Sequence, residues 1–359
     1  MAWSVDSSRI GASSNALYDA GKPLIMADNI YRANARLKLR DTNTLDFDWV
    51  SDAWGDPSLE DSDYPISRMY DNYLHLFTRP TTAGDTRVIV GKNTSSNGVD
   101  FDYMFLHFDI DGLDFSTYEA TVTLQIADDS SFTTNLETIF AMNIADSVPY
   151  YDTDETNRDD TDQYPIRILA TDLRVSGESS RHGLADVQYW RLIFYTGDVS
   201  LTWRPKVYEF WLGQATQLSH CPLYGFSPMS LVSGQSRFTS DNGIITNYDK
   251  SGLQRLLQAD FPIPDSAERT KWEEILFRSN GFRYPVLYMD NTDYTGARLK
   301  PHGFSSITYP GDNEFTKAPL FIGSLEMTSG LVWNGPNNNV FSVDFEEQAP
   351  FVADEIEFT

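Results

Sequence analysis

Between Phe47 and Tyr73 the chain reads FDWVSDAWGDPSLEDSDYPISRMYDNY. Trp49, Trp54, Tyr64, Tyr70 and Tyr73 crowd this loop-like stretch beside Asp63, Arg68 and Asn72. Aromatic faces stack on the C–H faces of sugars, while polar edges orient the hydroxyls. Trp54, Tyr64, Arg68, Tyr70 and Asn72 are therefore the candidate carbohydrate-binding set. The same residue types are enriched where subunits pack together. The stretch thus also reads as a packed loop at a subunit interface, and that reading is preferred.

Other chemistries are less well represented. Tyr150 to Gln163, YYDTDETNRDDTDQ, holds six acidic residues and one Arg. Hard carboxylate oxygens suit calcium, but the spacing is not that of an EF-hand, so a solvated acidic loop is expected. DIDGLDF, Asp109 to Phe115, reads as a turn built on Asp-Gly chemistry. The five histidines, His75, His107, His182, His220 and His302, include no pair at i, i+2 or i, i+4, and each is expected to be packed or hydrogen-bonded. The chain lacks a G-x-S-x-G elbow, H-E-x-x-H, a P-loop and G-x-G-x-x-G. Its 52 acidic residues make chance carboxylate pairs unavoidable; a working acid–base pair needs one buried member with a raised pKa. We expect no catalytic residues, no metal and no cofactor. Cys221 is the single cysteine, so no disulfide can form within the chain. A buried, packed side chain is expected there.

The charge is −25 from 27 basic and 52 acidic residues. That field repels phosphate backbones, which argues against nucleic-acid binding. No apolar run reaches the ~18 residues of a membrane helix, and MAWSVDSSRIGASSNALYDAG does not read as a secretory signal. A strand-rich protein without disulfides fits folding in a reducing cytosol.

The elements that must position these residues are mostly strands. Residues 1–28 are rich in Ser, Ala, Gly and Asp and read as an irregular arm. From Asn29, YRANARLKL, DYMFLHFDI, EATVTLQIA, QYPIRILA, VQYWRLIFYTG and KVYEFWLG follow one another between turn-rich spacers. Such short β-branched and aromatic runs predict an antiparallel sandwich or jelly roll over residues 29–213. Residues 214–228 read as the connection. A second, β-rich α+β module spans 229–359, with a hairpin in RFTSDNGIITNY around Asn242-Gly243 and a further strand in GLQRLLQADF. One short helix is predicted in SAERTKWEEILFRSNG. There Asp265 and Glu268 form a capping box, Trp272, Ile275 and Leu276 share a face, and Asn280-Gly281 is a left-handed stop. YPVLYMD, PLFIGSLEMTSG and NVFSVDFEE complete the strands.

Two resemblances cover most of the chain. LHLFTRPTTAGDTRVIVGKNTSSNGVDFDYMFLHFDIDGLD, ATVTLQIADDSSFTTNLETI and QYWRLIF resemble galactose-binding-like (discoidin-type) jelly rolls. In that family the strand here carrying Trp190-Arg191-Leu192-Ile193-Phe194 lies in the sandwich core. Residues 229–359, with LLQADFPI, RTKWEEILFRSNGFRYPVLYMD and a final FSVDFEE, resemble a small β module of tailed-phage distal tail, tail-tip and minor tail proteins. Residues 1–28 match neither.

The resemblance implies a virion structural protein at the distal tail or tail tip. It would be assembled in the host cytoplasm, form a homo-oligomeric ring with other tail proteins as partners, and have neither enzymatic activity nor membrane insertion. Jelly rolls of this family that bind glycans use loops at one end of the sandwich. The alternative is therefore a receptor-recognition module for a host surface glycan. Further alternatives are a capsid decoration protein and a polysaccharide hydrolase.

Overall fold

The computed structural model describes residues 22–27, 29, 36–40, 62–70, 77–80, 86–92, 101–109, 120–144, 148–149, 166–173, 187–195, 204–222, 227–239, 245–281, 283–289, 298–300, 317–332 and 339–347. In chain order the elements begin with β1 (Leu24–Met26), β2 (Arg36–Arg40), a 3-10 turn (Ile66–Tyr70), β3 (Thr86–Lys92), β4 (Tyr103–Asp109) and β5 (Thr121–Ala127). Then come β6 (Glu137–Asn143), β7 (Val148–Pro149), β8 (Ile166–Asp172), β9 (Tyr189–Tyr195), β10 (Lys206–Gly213) and β11 (Ala215–Gln217). The last are β12 (Ser227–Thr239), β13 (Ile245–Pro262), α1 (Ser266–Arg278), β14 (Val286–Met289), β15 (Arg298–Lys300), β16 (Lys317–Val332) and β17 (Val340–Glu347). The chain divides into two compact units. The first is Met1–Gly21, Asp28–Ala215 and Asn291–Lys300; the second is Lys22–Ala27, Thr216–Asp290 and Pro301–Thr359.

The first unit is a β-sandwich. A five-stranded sheet, ordered β2-β3-β9-β5-β6, accompanies a four-stranded sheet, ordered β10-β4-β8-β7. Every ladder in both is antiparallel. The chain changes sheet at β3–β4, β4–β5, β6–β7, β8–β9 and β9–β10, the winding of a jelly roll. The period of two decides what goes inside. Trp190, Leu192 and Phe194 of β9, Val122, Leu124 and Ile126 of β5, Met104, Leu106 and Phe108 of β4 and Phe210 and Leu212 of β10 share one buried core. The sheets also bury much of their other faces: all seven residues of β4 are buried, and so is the whole of β5. This accounts for runs such as YMFLHF, where strict alternation of apolar and polar residues is lost. Gly91 stands opposite Trp190 in the β3–β9 ladder, and a β-carbon there would land on the indole. The Trp190 ring occupies the space that Gly91 leaves.

The second unit layers one helix on one sheet, ordered β11-β1-β14-β16-β17-β13-β12. Trp272 and Ile275 of α1 are fully buried against Phe261, Tyr288, Phe341, Val343 and Phe345, with Leu276 packed alongside. The Trp272 ring centre is 4.5 Å from Phe341 and 5.1 Å from Phe261. Asp265 caps the helix by accepting from the Glu268 N–H at 2.8 Å. At the other end, Gly281 N–H reaches Leu276 O at 2.7 Å and Asn280 N–H reaches Phe277 O at 3.1 Å. This is a Schellman closure, with Asn280 and Gly281 both in the left-handed region.

Four expectations change. Leu24–Met26 fell in the predicted irregular arm, yet it is a strand paired to β14, because Ile25 and Ala27 complete the helix-covered core. GLQRLLQADF is not a separate strand. It continues β13, and a register shift between Ser233 and Gln235 lets β12 follow it from Ile245 to Gln258. The capping box is half made: the Glu268 carboxylate is buried and turns to the Ser219 N–H at 3.0 Å. Lys271 lies 3.3 Å from that carboxylate and donates to Ser219 Oγ at 2.6 Å. Cys221 is exposed; it lies past Leu218, the buried residue whose N–H bonds Pro23 O, and so falls outside the core.

Two aromatic residues of α1 separate packing from surface. Trp272→Ala should cost about 3–5 kcal/mol in denaturant unfolding, through lost apolar burial and the cavity left behind. Phe277 is 86% exposed, and Phe277→Ala should change stability by less than about 0.5 kcal/mol.

Candidate functional site

The described part of the aromatic loop enters a ladder of rings in the sandwich unit. Tyr64 lies flat on Phe77, ring centres 4.7 Å apart at 12°. Phe77 meets Tyr208 of β10 edge-on at 5.5 Å, and Tyr208 stacks on His107 of β4 at 4.7 Å. Cations flank the ladder. The Arg79 guanidinium sits 3.9 Å from the Tyr64 ring centre, Arg68 sits 5.3 Å from it, and Lys206 Nζ lies 5.6 Å from that of Phe77. Lys206 also pairs with Asp109 at 3.0 Å. The backbone fixes the entry of the loop: Thr78 exchanges two hydrogen bonds with Val207, and its hydroxyl donates to Tyr64 O at 2.9 Å.

This geometry assigns each ring face. Rings 4.7 Å apart and nearly parallel leave no room between them, so Arg79 covers the face of Tyr64 opposite Phe77. A sugar could stack on Tyr64 only after Arg79 leaves. Tyr70 is half-buried against the sandwich core at the end of the 3-10 turn, and Arg68 is half-exposed in that turn. Trp54 and Asn72 lie outside the described residues, as do Trp49 and Tyr73. The acidic stretch 150–163 and residues 110–115 of DIDGLDF also lie outside them. Among the described residues no cluster of three His, Cys, Asp or Glu side chains is placed to hold a metal ion.

Phe77, Arg79, His107, Lys206 and Tyr208 were not legible as neighbours, because they come from three distant parts of the chain. Tyr208 carries the specific reason. A register irregularity in β10 falls between Val207 and Glu209, so Val207 keeps its place opposite Phe108 and Glu209 stands opposite His107. The bulged Tyr208 turns to His107, where uninterrupted alternation would send it inward with Phe210.

A second cluster covers the other face of the five-stranded sheet. Val88, Val90, Ala127 and Ile193 form a small core closed by Phe132. Phe132 belongs to the β5–β6 loop and is held at φ 56°. Arg191 lies beneath it, 4.5 Å from the ring centre, and donates to Gln125 Oε1 at 2.7 Å. The loop is tied by one side chain. Asp129 accepts from the Thr133 and Thr134 N–H groups at 2.9 and 2.7 Å, and from the Ser131 and Thr133 hydroxyls at 2.8 Å each.

The electrostatics suit packing better than proton transfer. Complete burial pushes the His107 imidazole down to about 3, so it is neutral at physiological pH. The Thr134 N–H first, with the Ser131 and Thr133 donors, drives the Asp129 carboxyl well below its ordinary 3.8 against an opposing desolvation.

No protein-family model and no curated protein matches the chain. Among solved structures, the N-terminal domain of the single-strand break repair protein XRCC1 aligns over 98% of its own chain and 50% of this one. The identity is 10% and the TM-score 0.28. A likeness at that score carries no argument about fold or function, and the β-sandwich rests on its own strand order.

Two pH effects follow. The folded state resists protonating His107, so His107 costs nothing above its unfolded value of 6.5 and costs progressively more as pH falls from 6.5 towards 3. His107→Phe should keep the stack on Tyr208 and flatten the loss of stability in that window, read by denaturant unfolding at stepped pH. Asp129 acts in the same sense in a lower window: its contribution is complete above 3.8 and disappears as pH falls below it. Asp129→Asn should therefore be less stable than the parent at pH 7, and the gap should narrow below pH 3.8.

Proposed function

We propose that this chain is a virion structural protein of a tailed phage. In this reading it assembles at the distal tail or tail tip through protein–protein interfaces, as a homo-oligomeric ring with other tail proteins, in the cytoplasm of the host. Its work is interface burial and not catalysis. The resemblances of the sandwich to galactose-binding-like jelly rolls and of residues 229–359 to tail-tip modules support this reading.

One structural observation carries it further. β13 pairs with β17 only over Leu256–Pro262. Beyond that point it pairs with β12 alone among the described residues, from Leu231↔Arg255 out to Thr239↔Ile245. Nine residues of β12 at about 3.4 Å each make a ribbon roughly 30 Å long. A two-stranded ribbon is marginally stable in water by itself, and among the described residues no further strand pairs with the backbone N–H and C=O groups of its two edges. Pairing with neighbouring subunits would satisfy those groups and bury the faces. The aromatic ladder fits the same reading, since the described rings are stacked on one another and on arginine.

The test removes the ribbon. A chain in which residues 232–254 are replaced by a tight Asn-Gly turn should fold with an unchanged unfolding midpoint and be absent from purified tails. The unaltered chain should be present there in fixed ratio to the other tail proteins. Incorporation of the shortened chain at the normal ratio would defeat the reading.

A further inference from the structure

β2 is an end strand of the five-stranded sheet, paired on one side to β3 among the described residues. Its sequence, RLKLR, alternates cations with leucines. The register sets Arg36 opposite Lys92, Lys38 opposite Val90 and Arg40 opposite Val88. Across β3, Val90 is opposite Arg191 and Val88 is opposite Ile193. Directly opposed residues share a face, so Arg36, Lys38, Arg40, Lys92 and Arg191 belong to one face of the sheet. That is the face of Phe132, away from the core that holds Trp190 and Leu192. Leu37 and Leu39, opposite Gly91 and Ile89, belong to the core face. A five-cation face is at odds with a chain of charge −25. Lysine and arginine at a sheet edge also discourage indiscriminate pairing, but they favour a strand of complementary charge.

The chain contains such a strand pattern. Residues 351–359 read FVADEIEFT, in which Glu355 and Glu357 alternate with Ile356 and Phe358. Laid antiparallel along β2, Glu357 falls opposite Lys38, Glu355 opposite Arg40, Ile356 opposite Leu39 and Phe358 opposite Leu37. A slip of one residue sets Glu357 against a leucine in either direction and Glu355 against Leu39 or Asp41, so charge and apolar pattern select the same phase.

We propose that the β2 edge receives segment 351–359 of a second copy of this chain as an added strand. Acid opposes base on the outer face, and apolar residues continue the core on the inner one. Segment to edge is a head-to-tail contact. Repeated round an axis it closes a ring, so this inference rests on the assembly reading and names one of its interfaces.

The experiment uses full-length chains in sedimentation equilibrium at low salt. Lys38→Glu with Arg40→Glu should weaken self-association by at least about tenfold, and so should Glu355→Lys with Glu357→Arg. The chain carrying all four changes should recover to within a few-fold of the parent. The glutamate pair lies outside the described core, so it tests the idea even if the β2 pair unfolds the sandwich. Raising salt should shrink the difference between parent and charge-altered chains. If the parent associates and neither pair matters, the strand exchange is wrong while assembly through other surfaces still stands. If the pairs instead lower the unfolding midpoint independently of concentration and the fourfold change restores it, the segment pairs within its own chain and the proposal fails. A parent that is monomeric at every concentration also overturns it, and incorporation into tails then judges the assembly reading separately.

Discussion

A β-strand is stable when its edge groups find partners and at least one of its faces finds a layer. That constraint governs this chain. The five-stranded sheet of the sandwich meets it with a shared core on one face and the Phe132 loop on the other. The second unit meets it on one face with the Trp272 side of α1. The distal part of the β12–β13 ribbon, among the described residues, has hydrogen bonds on one side of each strand and no third strand. That contrast supports the proposal of assembly.

The same constraint explains why the candidate sugar-binding residues look as they do. Trp, Tyr and Arg side chains satisfy either a ligand or a neighbouring side chain, and sequence does not say which. For Tyr64 the structure places Phe77 on one ring face and Arg79 on the other. His107, buried and neutral, serves as a flat ring for Tyr208. Asp129, surrounded by donors, fixes a loop. Each polar group has local structural work, and the chemistry on view is that of packing.

Much of the architecture was legible because it follows short-range rules. The short β-branched and aromatic runs between turn-rich spacers marked the sandwich strands. Trp272, Ile275 and Leu276 at i, i+3 and i+4 located the buried helix face, while Asp265 and Asn280-Gly281 bounded it. Where the reading failed, the cause was a tertiary partner. Glu268 left its capping partner for Ser219, which lies 49 residues away. Leu24–Met26 became a strand because β14, more than 250 residues later, offers an edge. The bulge at Tyr208 shifts the register, and nothing in KVYEFWLG announces it. The ring ladder was hidden for the same reason: only Tyr64 lies in the aromatic-rich loop, and the rings that continue it come from elsewhere in the chain.

Assembly through strand edges requires that the ribbon need a partner. Hydrogen–deuterium exchange on residues 231–239 and 245–255 reads this directly, by comparing the isolated chain with the chain in assembled tails. The ribbon amides should exchange fast in the isolated chain, while those of β9 and β14 are protected, and should become protected in the assembly. Strong protection of the ribbon in the isolated chain, unchanged in the assembly, would contradict the claim that this protein works through the strand edges it offers to others.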